Sequence, residues 1–261
     1  MSRPKLRAAF FSFTDCEGCQ LEVANLGQTF MELADVMEIV SFREIMSEHD
    51  PNYDVIFLEG SVASRHDEDR IKYLSARAQI TVALGACATI GGVNNLKNLK
   101  SLGEQKKIVY GSIDPAQDSF DAKPVDEVVR IDYYIHGCPI YGPEFLTAVK
   151  AILAGKPYKP PAYPVCVECK ANENECVYLK NEFCLGPITR AGCNSWMINH
   201  GSVCVGCRGL IDNPATDAQR DILERFGLTA EEILDKFNLY CQSKKEKAKY
   251  ARDFAKPEPQ G

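Results

Sequence analysis

The residues best equipped for chemistry in this 261-residue chain are its twelve cysteines. Cys16 and Cys19 form a CxxC pair in DCEGC, Cys87 lies in GACA, and Cys138 lies in HGCP. The other eight fall between Cys166 and Cys241. Cys166 and Cys169 make a second CxxC pair, followed by Cys176 and Cys184, and together these form one set of four. Cys193 with Cys204 and Cys207 of CVGC makes a further set, and Cys241 stands apart. Met1 to Phe13 runs directly into a strand-like segment with no charged-then-apolar leader, so the expected compartment is the cytoplasm, where thiols stay reduced. Reduced cysteines in CxxC pairs point to a soft metal site, zinc or iron–sulfur, before disulfides.

These thiols have to be positioned by ordinary globular structure. The chain is 45% hydrophobic and 25% charged, with a formal net charge of −6. That balance argues against nucleic acid or an anionic membrane as the main partner. No apolar run reaches the roughly 18 residues a membrane helix needs. Leu6–Thr14, Val36–Phe42, Tyr53–Leu58, Ile80–Leu84, Lys107–Tyr110 and Val128–Ile135 read as strands. Helical spacing marks Gly18 to about Leu33, His66–Ala78, and Glu144–Leu153 with Pro143 in its first turn. This alternation predicts an α/β domain over residues 1–155, a parallel sheet with helices on both faces. Residues 155–164 (GKPYKPPAYP) read as a linker. A smaller, irregular or helical domain over 156–261 follows, with little apolar sequence and most of the cysteines. Two helices are expected in it, one from Asn213-Pro214 to about Phe226 and one opened by a Thr229/Glu232 capping box. Lys244 to Gly261 reads as a frayed helix or tail.

On this reading Cys16 and Cys19 follow the first strand, Cys87 comes three residues after ITVAL, and Cys138 three residues after Ile135. The carboxyl ends of parallel strands share one rim, where ligands bind. Thiols far apart in sequence meet there, and Gly18, Gly85 and Gly137 beside them allow close backbone approach. Four thiolates around one centre suit zinc or an iron–sulfur cluster, and the isolated Cys87 and Cys138 fit the cluster better. Three alternatives stand beside it: Cys87 and Cys138 as small core residues, Cys16 with Cys19 as a redox dithiol, and the later cysteines as zinc ribbons in a protein with no redox role. There is no Walker-type or GxGxxG loop to cradle a phosphate.

The blocks FTDCEGCQLEV, GACATIGGV, HGCPIYGPE, CVECKANENEC, CLGPITRAGC and CVGCRGLIDNP, in this order, resemble the small subunit of nickel–iron hydrogenases. The likeness is to the cytoplasmic branch with sulfhydrogenase delta and methyl-viologen-reducing hydrogenase small subunits. It implies a flavodoxin-like first domain and a cluster-binding second one. It also implies that Cys16, Cys19, Cys87 and Cys138 bind a proximal 4Fe–4S cluster, and Cys166, Cys169, Cys176 and Cys184 a distal one. Cys193, Cys204 and Cys207 match a medial cluster.

Relatives in that branch often carry a fourth medial cysteine, in the pattern CxxxC, where this chain has Met197. The medial cluster is then either 3Fe–4S or a 4Fe–4S cluster completed by Cys241, with a helix-borne bystander the favoured reading of Cys241. The implied partners are a large subunit holding the nickel–iron centre and a flavoprotein or ferredoxin-like electron-transfer subunit. A complex I-like, quinone-linked subunit is the competing reading; it shares the first domain but has adjacent cysteines, absent here, and lacks the extension. Glu17 and Glu22 flank the proximal pair and His136 precedes Cys138. These three are candidates for assisting roles.

Overall fold

The apolar runs LRAAFFS, MEIVSF, VIFLE and ITVAL form strands because β-branched and aromatic side chains on both pleat faces find a core on each side. In a computed structural model of the chain, which describes residues 5–111, 118–241 and 243–250, the strands are β1 (Leu6–Ser12), β2 (Met37–Phe42), β3 (Val55–Glu59), β4 (Val62–Ser64), β5 (Ile80–Leu84), β6 (Ser119–Lys123) and β7 (Tyr133–Ile135). The helices are α1 (Gly18–Ala24), α2 (Gln28–Val36), α3 (Arg65–Ser75), α4 (Gly85–Ile90), α5 (Leu102–Tyr110), α6 (Gly142–Leu153), α7 (Val165–Ala171), α8 (Trp196–Asn199), α9 (Thr216–Arg225), α10 (Ala230–Asn238) and α11 (Lys244–Tyr250). The chain forms two compact units, Met1–Pro160 and Pro161–Gly261.

In the first unit β2, β1, β3, β5 and β7 hydrogen-bond in that order, all parallel. This is the flavodoxin-like order of a doubly wound sheet. Its two faces are read off the strands with period two. Ala8, Phe10, Val55, Phe57, Val82 and Leu84 point to one side, against Val23 of α1, Leu33 of α2 and Phe145, Val149 and Ile152 of α6. Ala9, Ile56, Leu58 and Ala83 point to the other, against Ile71 and Leu74 of α3 and Ala88 of α4. The Phe10 ring stacks between Phe42 and Phe57 at centroid distances of 4.4 and 4.5 Å, each contact adding about 0.5–1.5 kcal/mol beyond area burial. β4 and β6 form a separate antiparallel ribbon.

Three expectations are corrected. Gly18 to Leu33 is not one helix: Gly27 at φ +59 separates α1 from α2. Lys107–Tyr110 is the end of helix α5, not a strand; Ser101 and Glu104 close a capping box that nucleates it, and its Ile108 and Val109 are exposed. Of Val128–Ile135 only Tyr133–Ile135 pairs with β5. Pro143 does sit in the first turn of α6, and Thr229 with Glu232 caps α10. Lys244–Tyr250 is helix α11, and the rest of the expected tail lies outside the described residues.

The second unit has short helices and no named strands among its described residues. Its cysteine-bearing cluster of buried residues is Val165, Cys169, Val177, Cys184, Ile198 and Cys204, so half of it is cysteine. Away from it Leu210, Leu223, Ile233, Phe237 and Tyr250 are also buried. Among the described residues no helix is long and apolar enough to cross a membrane.

Candidate functional site

The segments that follow β1, β5 and β7 meet at one rim of the sheet. The Ala86 N–H donates to the Gly137 carbonyl at 2.7 Å, joining the start of α4 to the loop after β7. The Ile140 N–H donates to the Cys19 thiol, joining that loop to α1. Cys16, Cys19, Cys87 and Cys138 therefore stand close enough to sense one another. Burial pushes the Cys87 thiol up to about 12, and the charges of Cys138 and Cys16 add to the shift. Burial also raises Cys19 well above the ordinary thiol range, with Glu59 and Cys138 contributing.

Glycine is required at this rim. Gly85 has φ +83 and Gly92 has φ +55, and a Cβ on either would run into Cys19 Sγ or Cys87 respectively. The packing leaves no room for a side chain around these sulfurs.

Helix α1 is held by a residue that spacing did not reveal. Its first-turn N–H groups have no partner within the helix. Glu59, buried at the end of β3, supplies one: Cys19 N–H donates to Oε1 at 2.8 Å and Gln20 N–H to Oε2 at 3.0 Å. The Gln20 amide donates to Oε2 at 3.2 Å and to Ser12 Oγ at 2.6 Å. A carboxylate against a helix N-terminus is favourable. Its sequence signal was a lone acid closing the apolar run VIFL before Gly60. Asp15 shares this enclosure, where burial and the nearby Glu59 raise its carboxyl to about 7. Of the assisting candidates, Glu17 faces Arg43 at 3.8 Å, and His136 Nδ1 lies 2.9 Å from Thr89 Oγ1 while its ring stacks on Tyr134. Glu22 Oε1 lies near Gly142, at the start of α6.

The second unit gathers its thiols in two places. Burial pushes Cys166 up to about 11, with Cys184, Cys169 and Cys176 each adding to it, so these four share one neighbourhood. A Cβ on Gly186 would stand 3.2 Å from Cys184 Sγ and 3.5 Å from Cys166 Sγ, and the Gly186 N–H donates to Cys184 Sγ at 3.3 Å. Gln219 of α9 donates to the Cys184 carbonyl and to Tyr178 Oη, both at 2.8 Å, which fixes this loop.

Cys193, Cys204 and Cys207 line a small apolar cavity of about 20 Å³ together with Met197 and the buried Arg208. Burial raises Cys193, while the Arg208 guanidinium pulls it back down. Cys241 is not helix-borne: it lies beyond α10, wholly buried, with its N–H donating to the Phe237 carbonyl at 3.0 Å. It is within electrostatic reach of Cys207 but not on the wall of that cavity.

All twelve cysteines are free thiols. Among the described residues no three His, Cys, Asp or Glu side chains converge tightly enough to hold a single ion.

The comparisons with known proteins agree with this architecture. The family described as NADH ubiquinone oxidoreductase, 20 Kd subunit, matches residues 16–152. The delta subunit of sulfhydrogenase 2 of Pyrococcus furiosus is 33% identical over 239 residues, covering 91% of this chain and 100% of that protein. A vhu subunit of the F420-non-reducing hydrogenase of Methanococcus voltae is 29% identical over 241 residues, covering 80% of this chain and 83% of that one. Among solved structures, the recombinant [NiFeSe] hydrogenase of Desulfovibrio vulgaris Hildenborough shares the fold at a TM-score of 0.53 and 17% identity, over 82% of this chain and 96% of that one. The chain belongs to the small-subunit family of nickel–iron hydrogenases, oxidoreductases that act on dihydrogen.

Proposed function

We propose that this chain relays electrons between a nickel–iron site in a partner large subunit and a flavoprotein or ferredoxin-type subunit, in the cytoplasm. Three iron–sulfur clusters would be its carriers. Cys16, Cys19, Cys87 and Cys138 would hold a proximal 4Fe–4S cluster in the first domain, residues 1–155. In the second, residues 156–261, Cys166, Cys169, Cys176 and Cys184 would hold a distal 4Fe–4S cluster, and Cys193, Cys204 and Cys207 a medial one. The observation that carries the reading is the meeting of Cys16, Cys19, Cys87 and Cys138, from the segments after three separate strands, within reach of one another's charge.

The donor chemistry fits: free thiols only, and glycines where any side chain would intrude. When bound, an iron–sulfur cluster supplies a one-electron carrier whose potential follows its charge, burial and hydrogen bonds to sulfur. The chain's own residues act on each of these. Ile140 N–H and Gly186 N–H donate to thiol sulfurs, which favours added negative charge there. Arg208 places a buried positive charge beside Cys193, with its Nε donating to the Ala191 carbonyl at 2.8 Å. Glu59 fixes Cys19 through its backbone and does not contact solvent. At the medial set Met197 lines the cavity where a fourth thiolate would stand, which favours a three-iron cluster.

Anaerobic purification followed by iron and acid-labile sulfide analysis tests the proposal. About eleven to twelve irons per chain with matching sulfide is the expected result, three clusters of three or four irons each. Zinc without sulfide overturns it.

A further inference from the structure

The connection from β2 to β3, residues 43–54, must carry the chain past β1, yet it contains no helix. A crossover between parallel strands ordinarily lays a helix on the sheet. Here that place on the α3 side of the sheet stays open. A cavity of about 360 Å³ occupies it, bounded by α3, by this connection and by the carboxyl end of β1.

The walls divide by chemistry. Phe11, Tyr53 and Tyr73 give flat apolar surfaces, and Arg43, Arg70 and Arg77 bring three guanidinium groups to the same space. Arg77 lies over the Tyr73 ring, 5.0 Å from its centre. Arg70 is held by the Ser12 carbonyl at 3.1 Å and lies over Phe13 at 5.1 Å. Among the described residues neither Arg70 nor Arg77 is paired with a carboxylate, and Arg43 reaches Glu17 only at 3.8 Å. Asp50, also on the wall, is already engaged by Arg7. The cavity is therefore apolar and aromatic within, and positive overall.

A guanidinium is a planar fork that matches the oxygens of a phosphate. Aromatic walls accept a flat ring. The cavity reaches the carboxyl ends of β1 and β2 at Ser12 and Arg43, where doubly wound sheets bind their ligands, and runs back along α3 to Tyr53 and Arg77; its volume suits a small molecule. We infer that it is a binding site for a mononucleotide-class ligand, with the flat heterocycle against Tyr53 and Tyr73 and the phosphate on Arg43, Arg70 and Arg77. The grip on phosphate comes from side chains of two segments, the β2–β3 connection and α3 with its C-terminal end, so no glycine-rich loop marks it in the sequence. The inference is independent of the proposed electron relay and stands whether or not that reading holds.

The test is calorimetric titration of the full-length protein, with the subunits that accompany it, using flavin mononucleotide, adenosine monophosphate and inorganic phosphate in separate arms. At least one of the two nucleotides binds, more tightly than inorganic phosphate does, and which one binds identifies the ring. The double variant R43Q/R77Q, both side chains being exposed, keeps the melting temperature and loosens the nucleotide about tenfold or more. Tyr73→Ala loosens the nucleotide and leaves inorganic phosphate unchanged. The inference fails if neither nucleotide binds at about 1 mM, if inorganic phosphate binds as tightly as both, or if R43Q/R77Q leaves the affinity unaltered.

Discussion

Gly85, the first residue of α4, and Cys19, in α1, approach so closely that a Cβ on the glycine would overlap the cysteine sulfur. The backbone at the start of one cysteine-bearing helix thus forms the wall against which another helix's thiol rests. Gly85→Ala introduces both this collision and a left-handed conformation at φ +83, at a cost of about 1–3 kcal/mol. Gly155→Ala carries a similar backbone conformation, φ +62, with open space around it. Both variants are expected to melt below the wild type, and only Gly85→Ala is expected to lose iron, by about four atoms per chain. Equal iron in the two variants contradicts the crowding argument.

Glu59→Gln tests the anchor of α1. The amide keeps one acceptor oxygen for donors that now share two, and one buried N–H loses its partner. An unsatisfied buried donor costs about 1–3 kcal/mol. Denaturant unfolding should show that loss, while Glu104→Gln at the exposed cap of α5 should show much less.

Met197→Cys addresses the medial set. Electron paramagnetic resonance of the oxidised wild-type protein is expected to show a three-iron signal, which Met197→Cys removes and Cys241→Ser leaves in place. A wild type without the signal, which then appears in Cys241→Ser, would instead make Cys241 the fourth ligand, in keeping with its position within reach of Cys207.

Glu68 gives a pH dependence with a definite sign. It accepts from Lys72 Nζ at 2.6 Å and Lys123 Nζ at 3.1 Å, tying α3 to β6. Those hydrogen bonds hold its carboxyl down at about 2. A carboxyl lowered in the folded state stabilises the fold above its unfolded value, and that contribution is lost as pH falls through the folded value. Glu68→Gln should therefore melt below the wild type at neutral pH, and the gap should close between about pH 4 and pH 2. A gap that persists in acid rules out this pairing as its cause.

The elements that bury both faces were legible in the sequence. β1, β3 and β5 announced themselves as continuous apolar runs, and the cysteine positions just past β1, β5 and β7 followed from the parallel-sheet rule. The sequence of Lys107–Tyr110 misled because Ile108, Val109 and Tyr110 have strand-like side chains that in fact lie exposed on a capped helix. Edge pairing was equally hidden: β6, SFDAK, has no alternation to distinguish it from a loop, and it exists because β4 offers it a partner. Glu59, Arg208 and the arginines around the open cavity act through neighbours distant in the chain, and no local spacing encodes them.

The two kinds of thiol set also differ in when they can come into being. Cys166 to Cys184 lie on one short stretch and can meet as soon as that stretch has left the ribosome. Cys16, Cys87 and Cys138 meet only after β1, β5 and β7 have aligned, since β7 pairs at the sheet's far edge. If the thiols hold clusters as proposed, loading of the first unit would wait for an aligned sheet, whereas the Cys166 to Cys184 set would draw on a single short stretch.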